Sequence, residues 1–481
     1  SVTLDGHSLS IADVVAVARG NAPVALDPKA VAAVRESRRA VDAAGERGQT
    51  MYGVNTGFGK LAHVRIPPEQ ARQLQLNLIR SHASGVGEPL GEDAVRAMML
   101  LRANVLARGT SGVRVVVPEL LVEMLNRRIH PTVPSQGSVG ASGDLAPLSH
   151  LPLAMIGEGE VRVPNPITLE AKEGLAFVNG TQAQTGLAAL LVTDAWTLWR
   201  TAHGAAAMSL EAVRGSPDPF DARIHDARPH RWQQRSAALL RELLAESEIR
   251  ESHRTNDPRV QDAYSLRCTP QVLGAVGEGL AFAEQLVSTE LNAATDNPLV
   301  FGDDVLSGGN FHGQPIALAL DVIGIVLTTL AGLAERRLER VVNPDLSSGL
   351  PAFLARDPGL ESGFMTAQIA AAALVADCRV LATPASVQSV PAEGNQEDVV
   401  PMGMSAAWKA GRILANAERI VAIELLAGAQ GLEYLQPLTP SKAVGRLHAT
   451  VRTVAAALNG DRPMTADIER IARGIRAGMF A

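Results

Sequence analysis

Apolar residues recur at helical spacing through much of this 481-residue chain. Within residues 92–108, Val95, Met98, Met99 and Val105 return every three or four positions before Gly109, the pattern of a helix with one inward face. Pro118 opens a second helical run that ends near His130-Pro131. From about Thr185 the pattern lengthens into alanine- and leucine-rich helices over 271–293, 316–342, 364–381 and 406–432. Pro270, Pro384 and Gly403 stand at or just outside their ends, where helix-breaking residues do least harm. Strand signals are sparse and no repeat of fixed period occurs. The expected fold class is therefore mainly α, a long helical bundle with a smaller N-terminal region. The expected division is an N-terminal region over 1–185 and the central bundle with C-terminal helices over 186–481. Alanine on so many faces implies close helix packing, with remaining apolar stripes buried against sister subunits.

Composition narrows the class. Hydrophobic residues at 46% and charged residues at 20% exclude wholesale disorder. A formal charge of -6 offers no basic face to a phosphate backbone, so a small molecule, not nucleic acid, is the expected partner. Cys268 and Cys378 are too few for a disulfide framework and read as buried free thiols, which fits a reducing cytoplasm. The first twenty residues lack the charged lead, apolar core and small-residue site of a signal peptide. Asp321 interrupts the most apolar helix, leaving a charge-free part too short for a bilayer. That helix is expected in the core, and no membrane partner is expected.

Several familiar chemistries fail on spacing. YGVNTGFGK, residues 52–60, has Val54 where a phosphate-binding loop needs its first glycine, and Leu61 where it needs a hydroxyl. In GSVGASGDLAPLSH, residues 137–150, the glycines at 137, 140 and 143 miss the dinucleotide spacing. The histidines form neither HExxH nor a Cys/His cluster, so no metal is expected. What remains is a set of polar residues in glycine-rich loops between helices, where catalytic groups concentrate.

Taken in order, YGVNTGFG, Ala141-Ser142-Gly143 with DLAPLSH, NGTQ, YSLRC, GGNFHGQP and NQED resemble the aromatic amino-acid ammonia-lyases, nearest to their histidine-specific members. The likeness runs from about Tyr52 to Gly431. It implies a homotetramer with a mainly α fold of the fumarase and aspartase superfamily, in agreement with the helical periodicity. It also implies that Ala141, Ser142 and Gly143 cyclise to 4-methylideneimidazol-5-one, an electrophile made from the chain itself, with no external cofactor. The residue types suit that chemistry. The Gly143 nitrogen must approach the Ala141 carbonyl carbon, which needs a sharply bent, uncrowded backbone. Ser142 then loses its hydroxyl as water and becomes the methylidene carbon. Asp144 is implied to help the cyclisation, although it could equally cap the helix that follows.

The reaction so implied removes ammonia from an aromatic amino acid, whose β-hydrogen is barely acidic and whose ammonium leaves poorly. Tyr52 is carried over as the base; a free tyrosine titrates near about 10 and needs a lowered pKa or a strongly activated substrate. Arg267 would hold the substrate carboxylate in its planar fork. Asn179, Gln261 and Tyr264 would hydrogen-bond the prosthetic group's oxygen or the substrate, with Phe311 lining the pocket. Ser81-His82 matches the pair that meets the substrate ring in the histidine-specific members. Glu397, in NQED, stands where phenylalanine and tyrosine enzymes carry a shorter NQD. A carboxylate can accept an imidazole N–H but is unpartnered beside a phenyl ring. Histidine, giving urocanate, is therefore the expected substrate. Lyase or aminomutase chemistry on tyrosine or phenylalanine is the alternative, because Val399 replaces the usual His, Ala263 replaces the usual Pro, and tyrosine aminomutases share the Ser-His pair. The connection between Glu160 and Glu170 is also shorter than the family's. A catalytically silent relative is the remote alternative.

Overall fold

Helices account for most of the chain, and five long ones are rich in alanine and leucine: Gln182–Ala212, Thr269–Glu290, Gln314–Val342, Met365–Leu381 and Gly403–Glu433. The computed structural model describes all residues from Ser1 to Ala481. Strand is confined to three two-stranded ribbons. Val2–Leu4 runs parallel to Val24–Leu26, and Val86–Pro89 pairs antiparallel with Pro134–Gln136. Leu299–Phe301 and Asp304–Leu306 form a hairpin.

The chain gathers into two units, both discontinuous in sequence. The first comprises 1–191, 283–321 and 384–408, so it draws on residues well beyond 186. Its centre is the helix Glu92–Ala107, in which every side chain from Ala94 to Ala107 is buried. That burial includes three polar residues, each with partners. Arg96 donates to the Val17 carbonyl at 3.0 and 3.2 Å and to Leu125 O at 3.2 Å. Those carbonyls lie at the C-terminal ends of Ile11–Ala18 and Val116–Asn126, where helix dipoles favour a cation. Arg102 donates to Ala176 O at 2.7 Å and to Asn179 O at 3.1 and 3.2 Å. Asn104 ties Leu291 O and Gly6 N. The helix thus fixes the 176–182 stretch that carries Asn179. A wholly buried ion pair, Lys172 to Asp296 at 2.6 Å, lies in the same unit.

The second unit comprises 192–282, 322–383 and 409–481. Its helices approach closely at small residues: a Cβ on Gly431 would sit 3.0 Å from Ala212 Cβ, and one on Gly428 would sit 3.0 Å from Met208. Arg337 and Glu424 form a buried bidentate pair at 2.6 and 2.9 Å, to which Ser209 adds a third hydrogen bond. The Trp199 indole donates to Leu273 O at 2.7 Å, and its ring packs edge-on against Trp196 and Trp232.

By length and composition, Gln314–Val342 is a helix that could cross a membrane. Ile316, Leu320, Ile323, Leu327 and Leu330 on it are fully buried. Asp321 is buried too and accepts from Ala385 N at 3.0 Å and Ser386 N at 2.7 Å.

Candidate active site

The Ala141-Ser142-Gly143 loop is bent where Gly140 and Gly143 take left-handed backbone, φ +74° and +81°. At Gly143 that conformation and the space around it both demand glycine, since a Cβ there would run into the Gly180 backbone. Gly143 and Gly180 form an isolated bridge, and Asp144 N donates to Gly180 O at 2.7 Å. Two other segments are pinned to the same loop: Met402 N donates to Val139 O at 2.9 Å and Gly313 N to Gly140 O at 3.0 Å.

Over this loop lies a cavity of about 430 Å³, lined within the first unit. Tyr52, Ala141, Ser142, Asn179, Phe311 and Glu397 reach it, joined by Asn297, His312, Glu393, Gln396 and Val399. Asn179 donates its Nδ2 proton to Ser142 O at 2.7 Å, and its own Oδ1 is buried without a partner. Glu397 accepts from Ser142 N at 3.0 Å. Its backbone pairs with Ala392 through Ala392 N to Glu397 O at 2.8 Å, which closes a short loop and aims the carboxylate inward. His312 contacts Val399 O at 3.0 Å.

The electrostatics are acidic. Tyr52's hydroxyl oxygen accepts from Gly59 N at 2.8 Å. Burial nevertheless pushes its pKa above the ordinary tyrosine value, with Glu393 and Glu397 adding to the rise. The surroundings therefore do not lower this phenol's pKa. Burial likewise raises Glu393, assisted by Glu397. Asp144 is fully buried, and desolvation lifts its carboxyl to about 6 against hydrogen bonds from Gln184 N and Ser138 Oγ. It makes no side-chain bond to the helix it precedes, so of its two expected uses the cap on that helix is absent. Its acceptors serve the first turn of Gln182–Ala212 instead.

A sequence model of the aromatic amino acid lyases matches residues 9–453. The chain belongs to the aromatic amino acid lyase family. This lyase is 50% identical to a histidine ammonia-lyase of Koribacter versatilis, with 99% of the chain and 98% of the relative covered. It is also 50% identical to that of Sorangium cellulosum, covering 98% and 97%. Among solved structures it is similar to histidine ammonia-lyase from Trypanosoma cruzi, at a TM-score of 0.91 and 42% identity over 100% of this chain and 94% of that one. It is also similar to tyrosine aminomutase from Streptomyces globisporus, at 0.93 and 40% over 100% and 97%. The lyase has the mainly helical fold of the fumarase and aspartase superfamily.

Six of the twelve site residues expected for the lyase line the cavity, and Gly143 adjoins it. Ser81 and His82 end the helix Ala71–His82, with Ser81 Oγ 3.0 Å from His82 Nδ1. They fall outside the cavity lining, yet His82 feels the charge of Glu397, and burial lowers its pKa. Gln261, Tyr264 and Arg267 belong to the second unit and are not among the lining residues. Tyr264 is 70% exposed, and the Arg267 guanidinium stacks 4.6 Å from its ring. Asn297, His312, Glu393 and Gln396 were missing from the expected set. His312 and Gln396 sit inside motifs already singled out, so their signal was present; Glu393 and Asn297 carried none.

Proposed function

We propose that this lyase eliminates ammonia from L-histidine to give urocanate. The observation that carries the reading is Glu397, a carboxylate on the cavity wall beside Ser142 in a chain half identical, end to end, to histidine ammonia-lyases. It can accept an imidazole N–H, which a phenyl ring does not offer.

The electrophile is 4-methylideneimidazol-5-one from Ala141, Ser142 and Gly143, made without external cofactor, and the surroundings fit it. Left-handed Gly143 against Gly180 supplies the tight bend, and the Asn179 amide already holds the oxygen that would become the ring carbonyl. Once formed, that ring supplies an electron-poor carbon for the substrate to add to. Tyr52 takes the β-proton; with its pKa raised, it depends on the acidity the bound substrate acquires. His82, kept neutral by burial, and Ser81 meet the substrate ring, with Phe311 as apolar wall.

Gln261, Tyr264 and Arg267 reach the site from other copies of the chain in a homotetramer, where Arg267 grips the substrate carboxylate. Support comes from the exposure of Tyr264, from Arg267 Nε being buried without a partner, and from the exposed apolar residues Ile325, Ile369 and Val380 on the long helices. Two free cysteines suit a cytoplasmic setting.

A second reading, aminomutase or lyase chemistry on tyrosine, is favoured by the similarity to tyrosine aminomutase and by Val399 on the cavity wall. Incubating the purified protein with histidine, tyrosine and phenylalanine, following the conjugated acrylate by ultraviolet absorbance and any β-amino acid by chromatography, separates the two. Turnover of histidine is expected; robust turnover of tyrosine with none of histidine overturns the proposal.

A further inference from the structure

The hydrogen bond from Ser142 N to Glu397 Oε1 involves a proton that the proposed ring cannot keep. In the uncyclised chain this N–H is an ordinary amide donor, 3.0 Å from a carboxylate oxygen. In the ring the same nitrogen is doubly bonded to the former Ala141 carbonyl carbon and carries no hydrogen. We infer that Glu397 is the proton acceptor for prosthetic-group formation, removing the Ser142 amide proton as the ring closes. The inference rests on the proposed electrophile and goes beyond the role of Glu397 towards substrate.

The atoms balance without any oxidant. The Gly143 nitrogen bonds to the Ala141 carbonyl carbon, and the Ala141 oxygen leaves as water with one proton from Gly143 N and one from Ser142 N. The second water is Ser142 Oγ with its own proton and the Ser142 Cα proton. Each proton needs an acceptor, and around Ser142 the acceptors are few. Asn179 meets Ser142 through an N–H donor directed at the carbonyl oxygen, which withdraws electrons from the serine and takes no proton. Asp144 is turned away, its oxygens engaged by Ser138 and Gln184. Glu393 stands against Gly59, across from Tyr52. Glu397 is thus the carboxylate in contact with a hydrogen that must depart. The Ala392–Glu397 pairing holds it there before any substrate arrives. Loss of that proton also ends the hydrogen bond, which releases the carboxylate into the cavity in the same event that completes the electrophile.

Intact mass of the denatured chain reads the step without reference to turnover. Wild type is expected to be lighter than its sequence by two waters, and S142A to show no deficit. E397Q keeps the shape and an oxygen that can accept the hydrogen bond, but cannot take the proton; it is expected to retain both waters in most molecules. E393Q, which alters the local charge without touching Ser142, is expected to show the full deficit. If E397Q does not yield folded protein, E397A is read in its place with the same expectation. A full two-water deficit in folded E397Q or E397A overturns the inference while leaving the proposed electrophile standing, as does an equal loss of the deficit in E393Q. Wild type without any deficit removes the electrophile itself, and this inference with it.

Discussion

Asp144 illustrates how a single residue can be identified from sequence while its work is not. It follows the Ala-Ser-Gly tripeptide directly, and its place before an apolar run reads equally as helix cap or as catalytic helper. In the fold its carboxylate sits in full burial beneath the loop, and its proton is held to about pH 6, against 3.8 for the free group. Between those values the folded protein keeps a proton that the unfolded chain has already released. Stability from this group therefore falls as pH rises from about 4 to 6 and levels off above, a loss of about 3 kcal/mol. D144N removes the titration. Comparing urea midpoints at pH 4 and pH 7, the drop in wild type is expected to exceed that in D144N by an amount of that order; equal drops refute it. The other residues divide by the kind of signal they carry. Tyr52, Ser142, Asn179, Phe311 and Glu397 stand in motifs dense in glycine and amide side chains, and all reach one cavity. Glu393 is there because backbone at φ +51°, followed by Gly394 and Asn395 also left-handed, turns it inward. No spacing rule announces such a turn.

At the level of elements, periodicity located four long helices, Thr269–Glu290, Gln314–Val342, Met365–Leu381 and Gly403–Glu433, to within a few residues of their ends, since alanine, leucine and flanking Pro or Gly mark both interior and boundary, but it set no bounds for Gln182–Ala212. It was less informative about environment. Residues 92–108 read as a helix with one buried face, yet the helix is buried all round, and Arg96 and Arg102, which look like its wet side, are among its most enclosed residues. Polar residues betray burial only through partners, and those partners, Val17, Leu125, Ala176 and Asn179, are backbone carbonyls invisible in a sequence pattern. The helix Pro28–Glu46 is absent from the expected set although Asp27 caps it and Pro28 opens it, so that signal was legible and unused. Arg102 makes the dependence testable. R102L leaves the Ala176 and Asn179 carbonyls without donors inside the unit, at a cost of at least about 3 kcal/mol. By contrast, R72A breaks an exposed pair with Glu170, which solvent screens, and should cost far less. Chemical denaturation of both variants checks the contrast, and similar losses in the two would mean that the buried guanidinium does not hold the Asn179 stretch.

For the molecule as a whole, the cavity beside Ser142 is short of positive charge. The cavity has carboxylates, amides and a phenol but no arginine on its wall, while an amino-acid substrate brings a carboxylate of its own. That charge would meet the carboxyls of Glu393 and Glu397 with no arginine on the cavity wall to grip it, an arrangement that disfavours the carboxylate end of the ligand. Arg267 would supply the missing charge, but it lies in the second unit with Tyr264 exposed beside it, and the sequence could name these residues without saying which copy uses them. If each pocket of the proposed homotetramer takes Ser142 from one chain and Arg267 from another, the two defects complement. S142A alone lacks the electrophile and R267Q alone lacks the carboxylate grip, so each is expected to lose at least about 100-fold in kcat/KM. Co-expressed in equal amounts, the two variants form mixed tetramers in which some pockets draw both intact residues from different chains. With random assembly and no preference between chains, about a quarter of pockets are restored. The same purified proteins mixed without exchange of subunits stay inactive, which separates assembly from residual activity. Histidine turnover in the co-expressed sample near that fraction of wild type supports shared pockets. Activity no higher than the sum of the separate variants places Ser142 and Arg267 in the service of a single chain's site.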